Sequence, residues 1–250
     1  MKKVFTILAI VGMLFFVTNN IQAQTEKTKT EKVVKKSGDA DKSFHQELKK
    51  RFVEGGPAFM GIVLLILILG LAIAIERIFY LSFVDVNTDK LLEEVEHALD
   101  EGGVEAAKEL LRNKKGPIAS IFYEGLERMD EGVDQAEKAV ISYGNVQVGQ
   151  LEKNVSWLAL FIALAPMFGF MGTVIGMIEA FDKIEAAGDM QPSLVAGGIK
   201  IALLTTVFGL IVAIILQIFY NFIIAKIDSI VNKMEDASIA LVDMLVKYKK

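Results

Sequence analysis

Cysteine is missing from all 250 residues, so disulfides, thiol nucleophiles and thiolate metal sites are excluded. Histidine occurs only twice, at His45 and His97, each in a hydrophilic stretch with no second ligand at metal-binding spacing. No nucleophile–base set or metal motif is present, which argues against an enzyme, a metal or another cofactor. The formal charge of −4 is spread over both signs, so there is no basic footprint for nucleic acid. Charge is also missing from three long runs, 57–75, 154–178 and 201–225. None has an Asp or Glu at its centre.

What is present is apolar: 53% of the residues are hydrophobic. Each uncharged run is long enough to cross a hydrocarbon core of about 30 Å as a helix. Spanning segments of this kind satisfy their backbone internally as helices, and no period-2 alternation competes. The expected fold is all-α, an integral membrane protein with three transmembrane helices after a signal peptide and long helices extending into the cytoplasm.

Residues 1–23 read as the signal peptide, with Lys2 and Lys3 before a short apolar core and Ala23 at the cleavage position. The alternative is an uncleaved fourth span. Residues 24–55 form a polar, Lys-rich tail too poor in apolar groups to build a core. Its nine Lys/Arg up to Arg51 oppose export by the positive-inside rule, but a dedicated signal overrides that bias. The tail is therefore placed in the periplasm. The remaining segments follow in order: span 56–80, cytoplasmic helical region 81–153, span 154–181, periplasmic loop 182–193, span 194–225 and cytoplasmic C-terminal helix 226–250. The eight Lys/Arg of 81–153 and the five from Lys226 onward agree with that direction, against a single Lys183 in the short loop.

Within 81–153, helical periodicity covers 89–99 and 105–111, with Gly102-Gly103 between them. Gly116-Pro117 then breaks the chain before 118–129. From Val133 the apolar stripe runs without interruption into the second span, and the third span continues in the same way to Leu245. Each inner span is expected to be the membrane end of one long helix.

The most specific pattern lies in the second and third spans. Ala165, Gly169, Gly172, Gly176 and Ala180 recur every three or four residues, as do Gly198, Ala202, Thr205, Gly209 and Ala213. Small faces allow close helix contact, whereas the bulky first span suits lipid. Helical rise puts Thr173 and Thr205-Thr206 at similar depths on antiparallel neighbours. One such hydroxyl would be read as bonded back to its own helix. Three at one level, beside glycines, suggest the wall of a passage. With no central acid of its own, a proton path here needs a titratable group from another chain. Arg77, Glu179 and Lys200 lie at the ends of the spans as possible partner or interface contacts, with the Lys200 amine reaching the outer interface.

At Ala165-Pro166…Gly169…Gly172-Thr173-Val174…Gly176-Met177-Ile178 and Gly198-Ile199…Thr205-Thr206…Gly209-Leu210…Val212-Ala213-Ile214, the sequence resembles the ExbB/TolQ/MotA proton channel family, in its ExbB branch. The resemblance implies an inner-membrane, multi-pass subunit that forms a homo-oligomer, a pentamer, around an ExbD-like single-span partner carrying the proton-binding Asp. It also implies coupling of the proton motive force to a TonB-like transducer for outer-membrane transport. Thr173 and Thr206 match the family's pore threonines, and Pro166 the proline beside them. Two departures stand out: Ile201 replaces a Glu found in many ExbB-like chains, and Ile215-Leu216 replaces a Pro-Ala. A TolQ-like role in envelope maintenance shares the same blocks. A non-conducting scaffold is the remaining alternative.

Overall fold

The computed structural model describes residues 51–52, 54–188 and 192–248. The expected signal peptide and most of the expected periplasmic tail lie outside these residues. Among the described residues the chain is helical throughout, with no strand. In order come α1 (Pro57–Val84), α2 (Thr88–Arg112), α3 (Pro117–Glu127), a 3₁₀ turn at Met129–Glu131, α4 (Val133–Leu151), α5 (Val155–Ala187) and α6 (Pro192–Tyr248). Three helical stretches are long and apolar enough to cross a membrane, and they begin in α1, in α4–α5 and in α6.

Helices α5 and α6 form an antiparallel hairpin, and α1 packs on both of them. α5 closes on Gly188, whose φ of 67° permits the left-handed residue that takes up the last carbonyls of Ile184 and Glu185. α6 is 57 residues long, about 86 Å at the helical rise, so it leaves the apolar layer and continues as the spine of the other half. There α2, α3 and α4 wrap it, and Phe122, Leu126, Val140, Leu241 and Leu245 form a dry core. α2 is the two helical pieces expected from the sequence, joined at a kink where Gly103 takes φ 71° and ψ −166°.

The expectation of one uninterrupted helix from Val133 into the second span is not met. α4 stops at Leu151 and α5 starts at Val155, with Asn154 at φ 65° between them. Asn tolerates that left-handed conformation better than most residues. The polar triplet Glu152-Lys153-Asn154 lets the chain turn where it enters the apolar layer. Apolar periodicity carries across the break, which hides it from pattern reading.

The first span is also less lipid-like than its bulk suggests. Met60, Val63, Ile66, Ala74 and Leu81 are buried on one stripe, while Leu65 and Ile68 on the opposite side stay more than half exposed. At Gly70 the side chain of Leu216 lies so close that a Cβ would come within 2.7 Å of its methyl groups. Leu67 is itself half-buried against the core.

Candidate functional site: the threonine seam of the hairpin

The small faces of α5 and α6 meet along one seam. Gly169, Gly172, Gly176 and Ala180 on α5 lie against Thr205, Ala202 and Gly198 on α6. The closest approach to backbone is at Gly209, where an added Cβ would stand 2.6 Å from the carbonyl oxygen of Ala165 and 3.1 Å from Gly169 Cα. Backbone meets backbone there, a spacing only glycine permits. Ala213, one turn below, is partly buried against the core.

This approach brings the threonines together. Thr205 is 1% exposed, and its Oγ1 donates to Ala202 O at 2.7 Å on its own helix, with Gly169 O at 3.2 Å. It packs inside the seam of the hairpin. Thr173 and Thr206 sit at the half-buried edge, and their hydroxyls hydrogen-bond to each other across the two helices. Thr173 Oγ1 also lies 3.0 Å from Ala202 O, and Thr206 Oγ1 3.2 Å from Gly169 O.

A hydroxyl has one proton to give. Two arrangements therefore satisfy the pair. Either Thr206 donates to Thr173 and Thr173 to Ala202 O or, at 3.3 Å, to Gly169 O on its own helix, or Thr173 donates to Thr206 and Thr206 to Gly169 O. In both, every hydroxyl proton points into the protein. What the pair offers outward is oxygen lone pairs, so it accepts hydrogen bonds. Pro166 lies inside α5, a turn and a half from Gly172, and has no N–H. The carbonyl of Ile162 thereby loses its helical donor.

Charged groups stand at the two ends of this seam. Lys200 pairs with Glu54, N–O 2.8 Å, just before α1 begins. Glu179 is exposed nearby. At the opposite end Arg77, expected as a partner or interface contact, is only 2% exposed within the chain itself. Its Nη2 donates to Leu151 O at 2.6 Å and Gln150 O at 3.2 Å, and its guanidinium lies 4.5 Å from the Tyr80 ring. It donates to the Leu151 carbonyl and adds a donor at Gln150 O, which also accepts from Lys153 N–H at 3.4 Å, and these contacts at the end of α4 account for its burial.

A second cluster was not anticipated from the sequence. Asp85, directly after α1, is gripped by Lys226 at 2.5 Å and Lys233 at 2.6 Å on α6. Burial works against the ionised carboxyl, but the hydrogen bonds and charges of the two lysines prevail and hold it below its ordinary value. The available signal was two lysines seven residues apart, one face of a helix at two turns, next to an acid ending an apolar run. Among the described residues no group of His, Cys, Asp or Glu is arranged to hold a metal.

A multi-pass helical membrane subunit, with a glycine-bound hairpin carrying paired hydroxyls, is the class that fold and site define. Residues 113–236 match the model of the MotA/TolQ/ExbB proton channel family. The chain belongs to that family, and it is a multi-pass inner-membrane protein. It is 32% identical over 169 residues to a putative biopolymer transport protein ExbB homolog of Methanothermobacter thermautotrophicus, covering 67% of this chain and 60% of that protein. It is 34% identical over 120 residues to biopolymer transport protein ExbB of Xanthomonas campestris, covering 45% and 46%. It is likewise 34% identical over 86 residues to Tol-Pal system protein TolQ of Haemophilus influenzae, covering 34% and 38%. The match thus spans less than two thirds of each of these relatives' own length.

Proposed function

We propose that the chain is an ExbB-like subunit of a proton-driven motor. It assembles as a homo-oligomer, a pentamer, around an ExbD-like single-span partner, and together they energise a TonB-like transducer. In this reading the 81–153 region and the C-terminal half of α6 are cytoplasmic, and the 182–193 loop is periplasmic. The observation that carries the reading is the Thr173–Thr206 pair, which spends its protons inward and presents acceptors outward. Such a surface binds a donor: water, or the protonated form of a partner's carboxylic acid. It offers nothing to a bare carboxylate, which needs donors of its own. The partner's acid would rest against the threonines when protonated and leave them when it ionises. That difference in binding is what couples proton occupancy to motion.

Valine has nearly the shape of threonine and lacks only the hydroxyl. Removing an interhelical hydrogen bond in a membrane costs about 0.6 kcal/mol on average, so Thr173→Val and Thr206→Val are expected to fold and assemble. Uptake of an iron complex, measured in cells expressing the partner proteins and equal membrane levels of each variant, should be lost in the double variant. It should survive in Thr173→Ser. Full uptake by the double variant would overturn the pore assignment and return the scaffold reading.

A TolQ-like role rests on the same geometry and on the TolQ match. Deleting the chain distinguishes the two: loss of iron-complex uptake belongs to the ExbB-like role, and leakage of periplasmic proteins with uptake intact to the TolQ-like one.

A further inference from the structure

One polar feature of the membrane span is not used by the threonine seam. Gln217 and Asn221 lie one turn apart in the last third of the uncharged run 201–225, and both are exposed. Gln217 Nε2 donates to Asn221 Oδ1 at 3.0 Å. That bond uses one of four amide N–H groups and one of two amide oxygens, so the pair retains several unmet polar positions. Lys226, which marks the charged end of the run through its contact with Asp85, comes nine residues later, about 13 Å on at the helical rise. Gln217 therefore lies inside the apolar layer. Its exposed neighbours Ile214 and Ile218 are ordinary lipid-facing or subunit-facing residues, and the amides are not. Polar side chains at membrane depth face protein or a water-filled cavity.

The register decides which. Thr206 precedes Gln217 by eleven residues, three helical turns, so the two share a face within about 20°. On the antiparallel α5, eleven residues in the same direction from Thr173 lead to Ile162, whose carbonyl Pro166 has left without its helical donor. Both helices of the hairpin thus put a free polar group roughly 16 Å below the threonine pair and on the same side. The two groups, at one level and on the same side of the hairpin, define a station.

We propose that Gln217, oriented by Asn221 and level with the Ile162 carbonyl on α5, is a second water-holding station of the passage, between the threonines and the cytoplasmic end. Neither amide titrates, so the station takes no proton itself. It fixes water along which a proton leaves the threonine level. The proposal rests on the pore reading of Thr173 and Thr206.

The absence of cysteine makes the test direct. Single variants Gln217→Cys, Thr206→Cys and the lipid-side control Leu65→Cys are made in the full chain, co-expressed with the single-span partner. Each is treated in membranes with a small, water-soluble methanethiosulfonate. Only a hydrated thiol ionises and reacts, so Gln217→Cys should label at least about tenfold faster than Leu65→Cys, as should Thr206→Cys. Labelling at 206 but not at 217 would overturn the station and leave the pore reading standing. Labelling at neither would overturn both. Labelling at 217 alone would describe a vestibule closed below the threonines, and the station would fall as part of a through-path. A functional arm accompanies it: Gln217→Leu should assemble normally yet lose most proton-driven uptake, with Gln217→Asn recovering it. Normal uptake in assembled Gln217→Leu would refute the proposal.

Discussion

Gly209→Ala tests the seam where backbone comes closest to backbone. The new methyl would stand 2.6 Å from Ala165 O and 3.1 Å from Gly169 Cα, both backbone atoms that no rotamer change can move aside. Ordinary carbon contacts lie at about 3.5–4.0 Å, so α5 and α6 must part by up to roughly 1 Å at this level. Overpacking of this kind costs about 1–3 kcal/mol. The displacement also stretches the Thr206–Gly169 and Thr173–Ala202 contacts, at 3.2 and 3.0 Å, beyond useful hydrogen-bond length. Gly197→Ala, on the same helix with nothing within 4 Å, is the control. It should be neutral or slightly stabilising, since alanine is the better helix former by up to about 1 kcal/mol. Reversible unfolding of the purified chain in mixed detergent micelles, followed by circular dichroism, reads both. Equal stability of Gly209→Ala and the unsubstituted chain would refute the backbone-to-backbone packing, because no soft neighbour exists to absorb the methyl.

Two further outcomes follow from the groups at the opposite end. Arg77→Met keeps an apolar stem and removes the donors to Gln150 and Leu151, a loss of about 1.5–3 kcal/mol for bonds to a charged group; amide exchange around 150–156 should quicken, and unchanged exchange would mean that the break holds itself. For Asp85, the folded carboxyl lies below its ordinary value of 3.8, so its contribution is present above about pH 4 and fades as pH falls through the depressed value. The stability gap between the unsubstituted chain and Asp85→Asn, about 1 kcal/mol or less for a pair this exposed, should be full at pH 7 and close under stronger acid; a gap that widens on acidification would contradict the clamp.

The three spans and the meeting of Gly169, Gly172 and Gly176 with Thr205 and Ala202 were legible because composition and spacing carry them: an uncharged run of helical length, and small residues at one period. The threonine levels followed from rise per residue alone. Arg77 was not legible in its true role. A charged residue at the end of an apolar run reads as an interfacial group, and nothing local says that the end of another helix, over seventy residues away, will present its carbonyls to it. The break at Glu152–Asn154 was hidden for a related reason. The apolar stripe keeps its phase across three residues, and only the left-handed Asn154 departs from it. The separation of Thr205 from Thr206 was half visible: neighbours on a helix point about 100° apart, so one must face the seam when the other edges it, but which one depends on the rotation that Gly209 sets.

The two inner helices leave the membrane differently, and that asymmetry bears on coupling. α6 continues without interruption from the seam to Tyr248, so a rotation or tilt at Thr206 is carried along a rigid rod into the helical core at Leu241 and Leu245. α5 is separated from α4 by the left-handed residue at Asn154, and the joint is bridged by Arg77 from a third helix. A movement of the hairpin is thus transmitted on one side and taken up on the other. The Lys226–Asp85–Lys233 clamp ties α1 to the transmitting helix just beyond the membrane end, and Arg77 ties the same α1 to the joint. α1 therefore connects the rod to the hinge. On the proposed motor reading, this connection lets the helical bundle turn with α6 while the α4–α5 joint absorbs the difference.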